Sequence, residues 1–133
     1  MEIKNNFIVT CEYAFLSAGT NNLNLIGVFT AINADRFPFV HRKFDLVTNF
    51  DMDAPGPHTL HTLVLDGEDV ELLTSKVNIQ VNSTTYQVIT HFENLSFPKP
   101  GKYELRVAID DIYVGSRFLI VNPVVQQQKE NFA

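Results

Sequence analysis

The stretch NLSFPKPGKYELRVAIDDIYVGSRFLIV, residues 94–121, carries the most regular pattern in this chain. Its central apolar residues recur at every second position, which is the signature of a strand with one buried face. Asp110-Asp111 follows them directly, and aspartate tolerates the positive φ angles of a two-residue hairpin turn, although glycine suits them better. The stretch therefore predicts a β-hairpin. The side chains expected to be buried on its first strand are Tyr103, Leu105, Val107 and Ile109.

The residues before this hairpin indicate how the strand is entered. From Leu95 to Val107 the sequence reads L-x-F-x-x-P-G-x-Y-x-L-x-V, and this pattern resembles the loop-to-strand corner of immunoglobulin-like sandwiches. In such a corner a tyrosine hydroxyl bonds to the upstream backbone while the ring packs inside the fold. The resemblance implies that Tyr103 is that tyrosine, and that the stretch is structural rather than an active site.

The same period of two extends over most of the chain. From Phe44 to Met52 it places apolar residues on one face and polar residues, Asp45 among them, on the other. In the run LNLIGVFTAI, Gly27 predicts a bulge or a close approach of another backbone, whereas EDVELLTS fits either a short strand or one helical turn. About eight short strands separated by Gly and Pro turns predict an all-β fold. We expect a two-sheet antiparallel β-sandwich of the immunoglobulin-like type, with a barrel as the alternative.

Length and composition limit the class of protein. The 133 residues fit one domain, which we place at residues 1–122 with a polar C-terminal tail over 123–133. Eleven Phe and no Trp indicate a core filled mainly by phenylalanine. A net charge of −5 and ten scattered Lys and Arg disfavour nucleic-acid binding, which needs clustered cations. The N-terminus resembles neither a signal peptide nor a membrane span, so we expect a cytoplasmic protein without membrane contact.

The reactive side chains show no arrangement typical of a known active site. Cys11 lies in an apolar alternation and is predicted to be a buried hydrophobe. His58 and His61 are three residues apart, so on a strand they point to opposite faces and cannot form a zinc pair. Ser116 lies inside a strand with no base at reachable spacing. We therefore predict no catalytic residue, no cofactor and no metal ligand.

Acidic residues concentrate in three predicted turns. If the strands simply alternate in direction, Asp51, Asp53, Asp110 and Asp111 share one end of the sandwich with the SAGTNN loop, residues 17–22. Such carboxylates could form a weak calcium site, although aspartate is also common in turns for conformational reasons alone. A salt-bridged cluster is predicted at the other end. Its members would be Asp66, Glu68, Asp69, Arg36, His41 and Arg42.

Over most of its length the chain resembles an uncharacterised family of small bacterial β-sandwich proteins. The resemblance implies a fold and a bacterial or phage-like origin, and it brings no catalytic residue, ligand or activity. Asp111 stands where the family pattern usually has glycine at the last hairpin. The residues that carry the resemblance are Glu12-Tyr13-Ala14, LNLIGVF (23–29), Phe37-Pro38, His58, Asp66-Gly67 and Pro100-Gly101-x-Tyr103-x-Leu105-x-Val107.

Surface contact is the function that this pattern favours. We expect a non-enzymatic module for protein interaction, or a structural or accessory protein, that binds a protein partner or self-associates through unpaired sheet edges. A carbohydrate- or calcium-binding module that uses the polar loops at one end is the first alternative. An enzyme whose catalytic groups converge from separate strands is the second.

Overall fold

A computed structural model describes residues 1–124, which form nine strands. The predicted count of about eight is one too low because the single run LNLIGVFTAI supplies two strands, which lie in different sheets. The last strand ends at Pro123, and residues 125–133, most of the tail predicted for 123–133, lie outside the described part. The strands are β1 (Ile3–Leu16), β2 (Leu23–Val28), β3 (Ala31–Ala34), β4 (Phe39–Met52), β5 (Gly56–Leu65), β6 (Glu71–Val81), β7 (Thr85–Phe97), β8 (Gly101–Ile109) and β9 (Ile112–Pro123).

Two sheets pack face to face and confirm the predicted immunoglobulin-like β-sandwich. The four-stranded sheet has the order β2-β1-β4-β7, and the five-stranded sheet has the order β3-β9-β8-β5-β6. All neighbouring strands are antiparallel except β3 and β9, which are parallel. The ambiguous segment EDVELLTS contributes the start of β6 and is therefore a strand rather than a helical turn. Within residues 1–124 no helix is long and apolar enough to cross a membrane.

The main core lies between the sheets and is rich in phenylalanine, as the composition predicted. The rings of Phe44 and Phe92 stack with their centroids 5.0 Å apart, on neighbouring strands β4 and β7. Phe97 meets Tyr103 edge to face at 4.9 Å. Such aromatic pairs stabilise a fold beyond the area that they bury. The largest fully buried side chains are Tyr103, Phe44, Phe50, Phe97 and Leu46.

The last hairpin has the predicted form. Asp110 and Asp111 adopt φ angles of 49° and 65°, the left-handed pair of a type I′ turn. Tyr103 is buried, and its hydroxyl donates to the Lys99 carbonyl at 2.5 Å and accepts from the Lys99 amide at 3.3 Å. The tyrosine corner predicted from the sequence is therefore confirmed.

The chain crosses between the sheets at Phe29-Thr30. The Phe29 amide still bonds to Thr10 in the four-stranded sheet, whereas the Thr30 carbonyl already accepts from Ile120 in the five-stranded sheet. Just before this crossing Gly27 has a φ of 67°, and a Cβ on it would lie 2.6 Å from the Glu12 side chain. The close neighbour of Gly27 is therefore a side chain, and not the second backbone or the bulge that the sequence predicted.

The crossing also determines which loops meet at each end of the sandwich. Residues 1–2, 53–55, 82–84 and the turn at 110–111 lie at one end, which we call the N-terminal end. The SAGTNN loop lies at the opposite end with residues 35–38, 66–70 and 98–100. The predicted grouping of SAGTNN with the Asp51 and Asp110 turns is wrong, because the run LNLIGVFTAI was counted as one strand. Strand direction does alternate along the chain, but the additional reversal between β2 and β3 places SAGTNN at the other end.

Candidate functional site

Three polar residues form a row across the outer surface of the four-stranded sheet. The register places Cys11 opposite Asp45 and Asp45 opposite His91. Asp45 was expected on a polar face but is fully buried; it accepts from the Ala14 amide at 2.7 Å and lies 2.5 Å from His91 Nδ1. No local pattern in the sequence indicates this row, since its members come from three separate strands and only the register joins them.

This row lacks the geometry of a thiol active site. Cys11 is buried as predicted, and burial together with the charge of Asp45 raises the pKa of its thiol, which disfavours the reactive thiolate. His91 lies two strands away from Cys11, about 9–10 Å in a sheet, with the aspartate between them. A base that activates a thiol must be within hydrogen-bond reach of it.

Ser116 has a hydrogen-bonded neighbour, but that neighbour is a weak base. The Ser116 hydroxyl donates to Glu104 Oε2 at 2.6 Å, and Arg106 Nε donates to the same oxygen at 2.8 Å. The hydrogen bond from Arg106 is the largest cause that lowers the pKa of Glu104. A carboxylate held in its charged form accepts a proton poorly, so this cluster is better suited to fastening β8 to β9 than to activating a nucleophile.

The histidine pair diverges as predicted. His58 lies between the Asp110 carboxylate and the Ala54 carbonyl, at 2.5 Å and 2.6 Å, whereas His61 Nε2 faces the Thr74 hydroxyl. Because a carboxylate and a carbonyl can only accept, both ring nitrogens of His58 donate and the ring carries a positive charge. Asp110, through this contact, raises the pKa of His58.

The acidic turns engage separate partners. Asp51 accepts from Asn6 and Thr85, Asp53 accepts from the Glu2 amide, and Asp110 faces His58. Among residues 1–124 no group of three or more His, Cys, Asp or Glu side chains is placed to hold a metal ion, so the four aspartates do not assemble the predicted calcium site.

The acidic residues at the other end do not form the predicted salt-bridged cluster. Glu68 pairs with Lys99 at 3.7 Å, and Asp66 accepts from the amides of Glu68 and Val70 within its own turn. The ion pairs found in the described part of the chain involve none of Arg36, His41 and Arg42.

Around the row of polar residues on β1, β4 and β7, the outer surface of the four-stranded sheet is largely apolar, and we call that part the outer apolar face. Cys11, Ala14 and Val47 are buried there in a second cluster, separate from the main core, against which Phe7, Leu23, Leu25 and Ile89 pack. The register extends the face onto the edge strand β2 by pairing Cys11 with Val28 and Ala14 with Leu25. Val28 is 55% exposed.

Polar side chains surround this face. Lys43 lies 5.5 Å above the Tyr13 ring, and the register places it opposite Glu93 on β7. At the far side Asn49 donates to Gln87 and accepts from Asn6, so these amides bond to one another. An apolar centre with a polar rim is the usual composition of a protein interface.

A second surface lies along the side of the sandwich where β6 and β7 are the edge strands, and we call it the lateral groove. The register places Leu73 opposite Val64 and Val77 opposite Leu60, so both face the inside of the sandwich, yet they are 38% and 39% exposed. Beside Leu73 the groove has a volume of about 350 Å³. Its lining residues are Leu72, Leu73, Glu93, Asn94, Leu95, Ser96 and Pro98.

Comparison with known proteins gives the family of the chain. Residues 6–122 match the model of a family of unknown function, DUF6941. The chain belongs to the DUF6941 family. This confirms the resemblance drawn from the sequence, and no curated protein matches the chain.

The following solved structures resemble the DUF6941 chain in fold alone, since each is less than 25% identical to it. The alkylpurine DNA glycosylase AlkC of Pseudomonas fluorescens, solved bound to DNA with an abasic-site analogue, has a TM-score of 0.54 and 10% identity. The alignment covers 91% of this chain and 30% of the glycosylase, so the DUF6941 chain spans about a third of that protein. An immunoglobulin-like protein from Pseudomonas aeruginosa has a TM-score of 0.47 and 17% identity over 92% of this chain and 98% of its own. A Listeria innocua β-glucosidase in complex with gluconolactone has a TM-score of 0.48 and 10% identity over 93% of this chain and 16% of its own.

The sequence contained an indication of the outer apolar face, but it is missed if each strand is assumed to have only one buried face. In the DUF6941 chain the run from Phe7 to Leu16 is apolar at all five odd positions and at three of the five even ones, with Ile8 on the core face and Cys11 on the outer face. A strand with two apolar faces is expected to have both of them covered. Within residues 1–124 nothing covers the exposed part of the second face.

Proposed function

We propose that this DUF6941 chain is a non-enzymatic interaction module that packs the outer apolar face against the same face of a second copy. The observation that carries the proposal is the second apolar cluster on a sheet whose other side already forms the core. A contiguous exposed apolar surface with a polar rim usually marks a site where another molecule binds.

The extent of the face supports a partner as large as another copy. Val28 is 55% exposed, and the half-buried Phe7, Leu23, Leu25 and Ile89 continue the apolar surface across the strands from β2 to β7. A standard interface takes about 800 Å² from each partner, of which a little over half is nonpolar. An apolar face that crosses a whole sheet suits an interface of that size.

The shape of the face supports a symmetric contact. A sheet surface is nearly flat, and two such surfaces pack about 10 Å apart, as the sheets of a sandwich do. The rim carries both signs of charge, Lys43 and Glu93, so two copies meet without a local excess of one sign. The whole chain has a net charge of −5, and two copies therefore repel at long range. Added salt should screen that repulsion and strengthen the association.

The side chains that could act as nucleophiles support a non-enzymatic role. Cys11 is buried and its pKa is raised, and the carboxylate beside Ser116 has a lowered pKa. Activation of either group would require the opposite shift, toward a thiolate or a stronger base.

Light scattering on a sizing column tests this proposal with paired variants. The wild-type chain should elute at twice 15.1 kDa, and the variant Val28→Lys should elute at the monomer mass. Val28 is exposed, so the substitution leaves the folded monomer intact, which circular dichroism checks. Val70→Lys, equally exposed but in the turn before β6, is the matched control and should remain dimeric. A monomeric wild type at the highest concentration that stays in solution, or a dimer unaffected by Val28→Lys, would disprove the proposal.

A further inference from the structure

The four-stranded sheet has one strand fewer than the five-stranded sheet that it covers. The edge strand β6 of the larger sheet is therefore only partly covered. Val81 and Ile79 are buried close to the turn that leads into β7, whereas Val77 and Leu73, farther along the same face of β6, are more than a third exposed. The two sheets therefore separate progressively away from the turn at residues 82–84. A strand beside β7 would fill that space.

The edge of β7 is accessible for such a strand. Among residues 1–124 only β4 pairs with β7, so the other side of this 13-residue strand presents its backbone N–H and C=O groups to solvent. Proteins usually protect a long edge with lysine, proline or a very short strand. Residues 85–97 contain neither lysine nor proline, and the left-handed φ of 54° at Asn94 is the one irregularity in the backbone angles of this strand.

We propose that the lateral groove binds an extended segment of a partner protein as a fifth strand of the four-stranded sheet. The backbone of the segment would bond to the outer edge of β7 in the half farther from the turn at residues 82–84. Alternate side chains of the segment would point into the sandwich and cover Leu73 and Val77. Main-chain bonds give affinity in this mode of recognition, and the pockets for alternate side chains give specificity.

The lining of the groove indicates the chemistry of that segment. Apolar residues are expected at every second position, because Leu72, Leu73 and Leu95 form the inner wall. Glu93 is the only charged residue in the lining, and the chain as a whole is acidic. The segment should therefore also carry a lysine or arginine near the position that pairs with Glu93.

The residues that test the groove lie far from the one that tests the dimer. Leu73 and Val77 face inward from β6, at the opposite edge of the sandwich from Val28 on β2. Glu93 borders both surfaces, so the groove is tested at Val77 and the dimer at Val28.

Selection from a phage-displayed library of linear twelve-residue peptides on the full-length protein tests the inference. Enriched peptides should alternate apolar and polar residues and contain a basic residue. The Val77→Lys variant should bind them at least tenfold more weakly, and the exposed position of Val77 lets lysine be accommodated without unfolding. Val70→Lys should bind them as the wild type does. Val28→Lys should also bind them normally, so that failure of the dimer and failure of the groove give different results.

A modified peptide tests the edge bonding without any change to the protein. An enriched peptide is made in two forms, with N-methyl groups either on its odd-numbered or on its even-numbered amides. One of these two methylation registers should weaken binding at least tenfold, because only one set of amides faces β7. Amide shifts in the β7 half that includes Glu93 should accompany binding of the unmethylated peptide. The inference is overturned if no peptide is enriched, if Val77→Lys binds equally well, or if both registers are tolerated. A wild-type dimer abolished by Val77→Lys alone would assign the groove to a second copy instead.

Discussion

At the scale of single residues, Tyr103 joins the loop before β8 to the core through one hydroxyl group. The ring packs against Phe97, and the hydroxyl satisfies both the carbonyl and the amide of Lys99. Tyr103→Phe keeps the ring and leaves those backbone groups without that partner. We expect the free energy of unfolding to fall by about 1–3 kcal/mol, measured by urea denaturation with an unchanged slope.

Tyr113→Phe is the matched control for this prediction. Tyr113 lies on the surface, where its hydroxyl meets only the Ser116 hydroxyl, which also bonds to Glu104. Its replacement should change the free energy of unfolding by no more than about 0.5 kcal/mol. Equal losses in the two variants would mean that the tyrosine corner contributes nothing particular to stability.

At the scale of strands, Asn94 changes which residues of β7 face the core. Thr90 and Phe92 are buried two residues apart, but the next buried residue, Leu95, comes three residues after Phe92. The left-handed conformation of Asn94, with a φ of 54°, provides the extra step. Without it Leu95 and Phe97 would face solvent, and Tyr103 would lose the ring that it packs against.

Substitution at Asn94 should therefore follow backbone preference rather than side-chain size. Asn94→Gly keeps the left-handed conformation accessible and should alter the free energy of unfolding by no more than about 0.5 kcal/mol. Asn94→Val should cost about 1–2 kcal/mol, since a β-branched residue is disfavoured at positive φ. The exposed side chain makes no buried contact that either change removes. Equal midpoints in urea would contradict the assigned role.

The sequence predicted those strands whose signal is local, and it failed where the outcome depended on pairing. The alternation from Tyr103 to Ile109 and the Asp110-Asp111 turn could be read directly, because side-chain period and turn chemistry act over a few residues. The run LNLIGVFTAI looked like one strand because its apolar residues continue through Phe29, where the chain changes sheets. No periodicity records which sheet a strand joins.

The candidate surfaces were unpredictable for the same reason. Cys11, Leu25 and Val28 became one face only when the register aligned β1 with β2. The exposure of Leu73 and Val77 depends on the unequal number of strands in the two sheets. Unpaired edges were expected in general terms from the sandwich fold, but the particular edge, β7, could be chosen only after the strand order was known.

At the scale of the whole molecule, two histidines give the stability opposite dependences on pH. The pKa of His58 is raised from 6.5, chiefly by its hydrogen bond to Asp110, so the folded state holds this proton more tightly than the unfolded chain. Its contribution is complete below pH 6.5 and is lost as the pH rises through the folded pKa. The pKa of His41 is lowered from 6.5 by burial among aromatic rings. Its contribution is present above pH 6.5 and is lost as the pH falls through the folded pKa.

The two effects can be separated by substitution at Asp110. Asp110→Asn keeps an oxygen for the Thr59 amide and suits the left-handed turn, but it removes the charge that faces His58. We expect the unfolding free energies of wild type and variant to differ most below pH 6.5 and to converge as His58 loses its proton. Asp111→Asn, at the neighbouring turn position, should follow the wild-type curve.

Urea denaturation at a series of pH values, together with an NMR titration of the His58 ring, measures both sides of this linkage. The titration should give a pKa above 6.5 in the wild type and a lower one in Asp110→Asn. If the two stability curves stayed parallel across neutral pH, the His58–Asp110 pair would not couple charge to folding. The contact between the loop before β5 and the β8–β9 turn would then depend on packing alone. Convergence of the curves at high pH would instead show that a protonated His58 holds these two segments of the N-terminal end together.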